Sequence, residues 1–129
     1  MTMHLRMPQS VKRVTNPLVG RVPIWIVGGV NKGARWSLAA AGGGYGSGKR
    51  ESRQMQVLWS MIRPDDVVWD VGAHYGFITL CAARRVAGRG RVYSFEPSKA
   101  NYWFLDRHVR WNHLHHVTAH NCAVGGFDG

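Results

Sequence analysis

At 129 residues, with 45% hydrophobic side chains and six Trp, the chain suits one folded domain with a modest core and excludes a disordered polymer. Two cysteines, Cys81 and Cys122, form no disulfide framework; Ile24–Val27 is too short to cross a bilayer, and Met1–Val14 lacks a signal-peptide core, so a soluble, cytoplasmic protein is expected. The formal charge of +10 is lopsided, because residues 1–50 hold eight Lys or Arg and no acid, while residues 51–129 hold nine bases and all seven acids.

Residues 1–21 show no period and read as a loose basic segment. Such an arm could attract nucleic acid, an anionic membrane surface or an acidic substrate, or simply be solvated. Val22–Val27 reads as a strand, with Pro23 marking an edge or a start. Gly28–Gly33 supplies turn residues, and Arg35–Leu38 returns as a hairpin partner. Ala39–Gly48 is small and glycine-rich, a loop. Glu51–Ile62 is an amphipathic helix, since Met55, Leu58, Trp59 and Ile62 recur at helical spacing.

Next comes Val67-Val68-Trp69-Asp70-Val71, bounded by Pro64-Asp65-Asp66 and Gly72, which reads as a buried parallel strand. Phe77–Ala87 is helical, with Phe77, Leu80, Cys81 and Arg84 on one face, and Gly88-Arg89-Gly90 ends it. Arg91–Phe95 is a second strand. Ser98 caps a helix running to about Asn112, with Tyr102, Leu105 and Val109 inward. Val117–Val124 is a third strand, and Gly125–Gly129 a turn. Strands joined by helices imply a parallel sheet. Trp59 and Trp69 read as core, while Trp103 and Trp111 pack on the sheet or stay partly exposed.

The chemistry gathers at the first strand's end. The loop Gly72-x-x-x-Gly76 lacks the central glycine of the dinucleotide fingerprint, and His74 stands there instead. Asp70 at the strand tip repels a pyrophosphate and attracts a cation. At about 4 Å and an effective dielectric near 20, the two cases differ by several kcal/mol. S-adenosylmethionine carries an ammonium and a sulfonium and no phosphate, so the acid favours it. Glu96, at the end of the next strand, is placed to accept hydrogen bonds from ribose hydroxyls.

Asp70-Val71-Gly72-Ala73-His74-Tyr75-Gly76, Gly90-Arg91-Val92-Tyr93-Ser94-Phe95-Glu96-Pro97 and Asn121-Cys122-Ala123-Val124-Gly125 resemble the FkbM-type family of class I methyltransferases. The resemblance covers about Asp66 to the last residue, with Glu51–Ile62 similar to the family's lead-in. It implies a Rossmann-like α/β domain that moves a methyl group from S-adenosylmethionine to a hydroxyl of a small molecule or saccharide. By resemblance, Asp70, Gly72, Ala73, His74 and Gly76 line the methionine end, Glu96 holds the ribose, and Cys122 and Ala123 lie near the adenine. Where class I enzymes bring an acid to the adenine, this chain has Cys122, which cannot make that contact as a carboxylate would. The family fold needs seven strands and this sequence supplies three, so residues 51–129 read as the N-terminal half of a methyltransferase domain, and residues 1–50 as a basic extension with a hairpin-like lead-in. A fragment is expected.

Other signals are weaker. Gly43–Arg50 nearly spells a phosphate-cradling loop, but Arg50 replaces the hydroxyl residue that ligates magnesium, and a flexible or substrate-facing loop fits better. His108, His113, His115, His116, His120 and Cys122 are metal-capable but lack the paired spacing of a zinc site. A general base for a hydroxyl acceptor is not identifiable; His74 reads better as a loop residue whose ring bonds the backbone or the ligand. The rival functions are a nucleic-acid methyltransferase or binding module using the basic arm, and a non-catalytic remnant.

Overall fold

The computed structural model describes residues 17–50 and 52–126. Three features expected from the sequence lie outside them: the basic residues Arg6, Lys12 and Arg13, the helix start at Glu51, and the last three residues of the closing turn.

A hairpin leads. Strands β1 (Pro23–Trp25) and β2 (Arg35–Ser37) pair antiparallel, Ile24 opposite Trp36. Helix α1 (Ser52–Met61) follows a single 3-10 turn at Leu38–Ala40 and the glycine-rich loop. Then β3 (Val67–Val71), α2 (Phe77–Val86), β4 (Arg91–Phe95), α3 (Lys99–Trp111) and β5 (Val117–His120) alternate. The three later strands form a parallel sheet in the order β3-β4-β5, with Asp70 opposite Ser94 and Phe95 opposite His120. The third strand is shorter than expected: it stops at His120, and Asn121 to Val124 run on as an exposed loop.

Helix α2 is buried almost all round, and that is what makes it the keel. Phe77, Leu80 and Cys81 join Ile26, Trp36, Met55 and Phe104 in one apolar cluster. Ala82, Ala83 and Val86 join Ile62 and Val92 in a second, against the sheet. Arg84, expected on the apolar face, is exposed, because the face with Ala82 and Ala83 is the one turned to the strands. Fully burying one such apolar side chain contributes about 1.5–3 kcal/mol.

Helix α3 turns a different stripe inward from the one expected. Leu105 is buried, but Phe104 and His108 are its companions, while Tyr102 and Val109 are only half-buried. The reason is the hairpin, which lies against α3 and demands partners there. Trp36 is fully buried, its indole N–H donating to the Ala40 carbonyl at 2.9 Å and its ring stacked on His108 at 3.7 Å. The Asn112 side chain then clips β2, accepting from the Arg35 N–H at 2.7 Å and donating to the Arg35 carbonyl at 2.8 Å.

Strand β3 is not buried on both faces as its apolar run suggests. Asp70 faces the helices, whereas Val67, Trp69 and Val71 are exposed, Trp69 at 64%. Period-two alternation puts Trp69, Tyr93, Phe95 and His120 on one open sheet face, where Trp69 and Phe95 lie 5.5 Å apart and Phe95 and His120 5.1 Å. Both α2 and α3 pack on the opposite face, so no described element covers Trp69. Trp59 is half-buried, held beneath Arg85, which reaches its carbonyl at 2.9 Å.

Candidate functional site

Strand β3 delivers Asp70 to the carboxyl edge of the sheet, and the chain then turns sharply into α2. Gly72 takes φ +78° and Gly76 φ +89°, both in the left-handed region where a β-carbon is strained. The two glycines serve different ends. A β-carbon on Gly72 would meet nothing within 4 Å, so the space over it is open; one on Gly76 would lie 2.6 Å from Leu105 Cδ1, so this glycine lets α2 and α3 close up. Between them His74 also adopts a left-handed φ of 53°.

That loop is held by its own amides. The N–H groups of Gly72 and Ala73 both donate to the Phe95 carbonyl, at 2.9 and 3.0 Å, and Gly76 N–H donates to Ala73 at 2.8 Å. His74 N–H donates to Glu96 Oε2 at 2.8 Å. The other carboxylate oxygen of Glu96 accepts from the Ser98 N–H at 2.8 Å and from Asn101 at 3.4 Å. Glu96 thus joins the glycine loop to the N-terminus of α3, where Ser98 caps the helix.

Asp70 is buried beside it. Its Oδ2 accepts from the Thr79 hydroxyl at 2.6 Å, and Thr79 in turn shares a 2.8 Å hydrogen bond with Ser94. Burial raises the Asp70 pKa above its ordinary value, hydrogen bonds from Thr79 oppose the rise, and the nearby Glu96 charge adds to it. Two carboxylates under one loop, with the pKa of Asp70 pushed up, make a place where a cation is stabilised.

A cavity of about 160 Å³ opens over the loop, with Gly72, Ala73, His74 and Tyr75 on one side and Tyr45, from the glycine-rich lead-in, on the other. Tyr45 is set there by Phe77, 5.1 Å away, and by Trp36 at 5.6 Å. The His74 ring leans on Tyr75 at 3.9 Å; its backbone makes the hydrogen bond to Glu96.

Of the residues singled out from the sequence, Asp70, Gly72, Ala73, His74, Gly76 and Glu96 converge at this edge. Cys122 and Ala123 lie on the exposed loop after β5, tied to the edge through Asn121, whose side-chain amide donates to the carbonyls of Glu96 at 2.7 Å and Pro97 at 3.2 Å. Thr79, Ser94, Asn101 and Tyr45 were not singled out. Thr79 carried a signal, as a lone hydroxyl on the inward stripe of an apolar helix; Tyr45 carried none, since its place depends on the hairpin.

The remaining histidines do not assemble. His108 is buried against the hairpin, His116 bonds the Ala83 carbonyl at 2.8 Å, and His120 stacks on Phe95. Among the described residues no three His, Cys, Asp or Glu are grouped to hold a metal. The glycines of Gly43–Arg50 serve packing: a β-carbon on Gly48 would collide with the Gly28 carbonyl, so this loop lies directly across the hairpin turn. No strand leads into it, as a phosphate-cradling loop requires.

No family model and no curated protein matches the chain. Solved structures do match it. TYW2 from Pyrococcus horikoshii, in complex with MeSAdo, is 22% identical over 75% of this chain, with a TM-score of 0.59. A SAM-dependent O-methyltransferase from Thermotoga maritima is 21% identical over 59% of the chain, TM-score 0.53. Coclaurine N-methyltransferase, bound to N-methylheliamine and SAH, is 16% identical over 87% of the chain, TM-score 0.52. The fold is the Rossmann-like fold of class I methyltransferases. In that fold β3, β4 and β5 are consecutive parallel strands, and the loop at Gly72 lies at the carboxyl edge where such sheets bind ligands. The chain spans 36%, 30% and 35% of those three structures, about a third of each.

Proposed function

We propose that this chain binds S-adenosylmethionine over the Gly72–Gly76 loop and forms the cofactor half of a methyltransferase. The observation that carries the reading is the state of the loop's amides. A loop built for pyrophosphate aims free N–H groups at the ligand. Here the amides of Gly72, Ala73, His74 and Gly76 are already spent on protein acceptors, and two carboxylates, Asp70 and Glu96, stand behind them. Such an edge repels phosphate and suits a ligand whose charged end is cationic.

The residues present fit that group. Gly72 leaves the loop surface open, and Asp70 offers a carboxylate to an ammonium. Glu96, though bonded to His74, Ser98 and Asn101, has acceptor capacity left on Oε2 for a ribose hydroxyl. Cys122 and Ala123 would border the adenine, with Asn121 fixing their loop. When bound, S-adenosylmethionine supplies an electrophilic methyl group on sulfur. This chain's part is to orient it and to keep water from the sulfonium side through Tyr45 and Tyr75. The resemblance to FkbM-type enzymes supports a hydroxyl acceptor on a small molecule or saccharide.

Isothermal titration of the purified chain with S-adenosylmethionine, S-adenosylhomocysteine, NAD and ATP tests this. The two methionine-derived ligands should bind and raise the melting temperature, since a ligand of the folded state stabilises it. Asp70→Asn should weaken S-adenosylmethionine at least about tenfold, a loss of about 1.4 kcal/mol, without lowering the melting temperature of the free protein, because it removes a charge that burial disfavours. Binding of NAD or ATP in preference to S-adenosylmethionine overturns the reading.

A further inference from the structure

Away from the glycine loop, α3 carries a row that the cofactor site does not use. Trp103, Arg107 and Trp111 stand four residues apart and line up on one side of the helix. The Arg107 guanidinium lies 4.0 Å from the Trp103 ring centre and 5.4 Å from that of Trp111, so it sits between two indoles. Its Nε is screened from solvent and has no hydrogen-bond partner among the described residues. Arg110 stands beside the row, exposed and paired with Asp106 at 3.0 Å, and a hollow of about 220 Å³ opens among these side chains.

The hairpin extends the surface. Asn112 fixes the backbone of Arg35, whose guanidinium lies 5.9 Å from the ring centre of Trp25, itself 58% exposed. Arg21 is close enough to weigh on Arg107: burial first and then the like charge of Arg21 pull the Arg107 pKa down, with Arg110 adding to them and Asp106 alone opposing. Three guanidinium groups, Arg21, Arg107 and Arg110, thus act on one another beside the Asp106 carboxylate and two part-exposed indoles, and the hairpin adds a further Arg–Trp pair, Arg35 on the exposed Trp25.

We propose that this face of α3 and β2 binds single-stranded nucleic acid, its arginines taking phosphates and its tryptophans stacking on bases. Charge alone fits any polyanion. The interleaved indoles decide for a polyanion with flat rings, because base–aromatic stacking is worth about 1–3 kcal/mol per base and tolerates sequence. The surface requires nothing of the cofactor site, so either reading can fail without the other.

The test is fluorescence anisotropy of the full chain with labelled oligonucleotides of about 12 uridines or 12 thymidines, repeated over a range of salt. Both should bind, with affinity falling as salt rises at a slope of about −0.7 per phosphate neutralised, and intrinsic tryptophan emission should be quenched. A clear preference for the uridine strand assigns the site to RNA, and equal binding assigns it to single strands in general. The paired reversal Arg35→Glu and Arg110→Glu, at two exposed positions, should weaken binding at least about tenfold and flatten the salt slope by more than about 1. Arg110→Gln alone, checked by circular dichroism to be folded, should move both in the same direction. Trp103→Leu should diminish the quench. Failure of both oligonucleotides to bind overturns the proposal. So does unchanged binding by the reversed variant, which would move the contact to the basic arm, or equal quenching by heparin, which has charge and no bases.

Discussion

His108 shows how one side chain can join two parts of a molecule. Ser37 N–H donates to its Nε2 at 2.9 Å, so Nε2 carries no proton, and Nδ1–H donates to the Tyr75 carbonyl at 2.7 Å. One neutral ring therefore links β2, α3 and the glycine loop. Burial, with a smaller push from Arg107, holds its pKa at about 4, against an ordinary 6.5, although the bond to Tyr75 opposes the fall. Since the unfolded chain takes up the proton first, stability is full above pH 6.5 and is lost as pH falls toward 4, by about 3 kcal/mol at most. Asp70, whose pKa is raised, works in the opposite sense, adding stability as pH falls through its folded-state pKa. Urea midpoints of the wild type and His108→Gln between pH 7 and 4 separate them: the variant should be less stable at pH 7 and lose less stability on acidification.

At the scale of elements, two glycines four positions apart should respond differently to a methyl group. Gly76→Ala adds a clash with Leu105 Cδ1 to a strained φ and should cost about 2–3 kcal/mol; Gly72→Ala carries only the backbone strain, about 1–2 kcal/mol, and should harm S-adenosylmethionine binding more than stability. Denaturant midpoints paired with calorimetry check both. Much of this region was legible in the chain. The apolar run to Asp70, the glycine turn, the Ser98 cap and the strand at Arg91–Phe95 are signals local in sequence, and local signals survive folding. What was hidden is what depends on distant partners. His108 meets Ser37 across 71 residues, and Asn112 meets Arg35 across 77, so neither Phe104 and His108 as the inward stripe of α3 nor the seat of Tyr45 could be read from periodicity. The exposed face of β3 misled for a related reason. An apolar run tells that a strand can be buried, and only the covering element tells whether it is.

For the whole molecule, that uncovered face is the main liability. Val67, Trp69 and Val71 are exposed on β3, which lies at the edge of its sheet with β4 as its single described neighbour. A flat aromatic face beside an unpaired strand edge favours self-association. The chain should therefore sediment as concentration-dependent oligomers, and Trp69→Glu should shift the distribution toward monomer while leaving the melting temperature nearly unchanged. Among the described residues no helix is long and apolar enough to cross a bilayer.

The double grip of Glu96 has a kinetic corollary. With His74 on one oxygen and Ser98 on the other, the turn is assembled before any nucleoside arrives, so binding has little backbone left to order. Stopped-flow traces of S-adenosylmethionine binding should then be single-exponential, with an observed rate that climbs in proportion to ligand concentration and reaches no plateau.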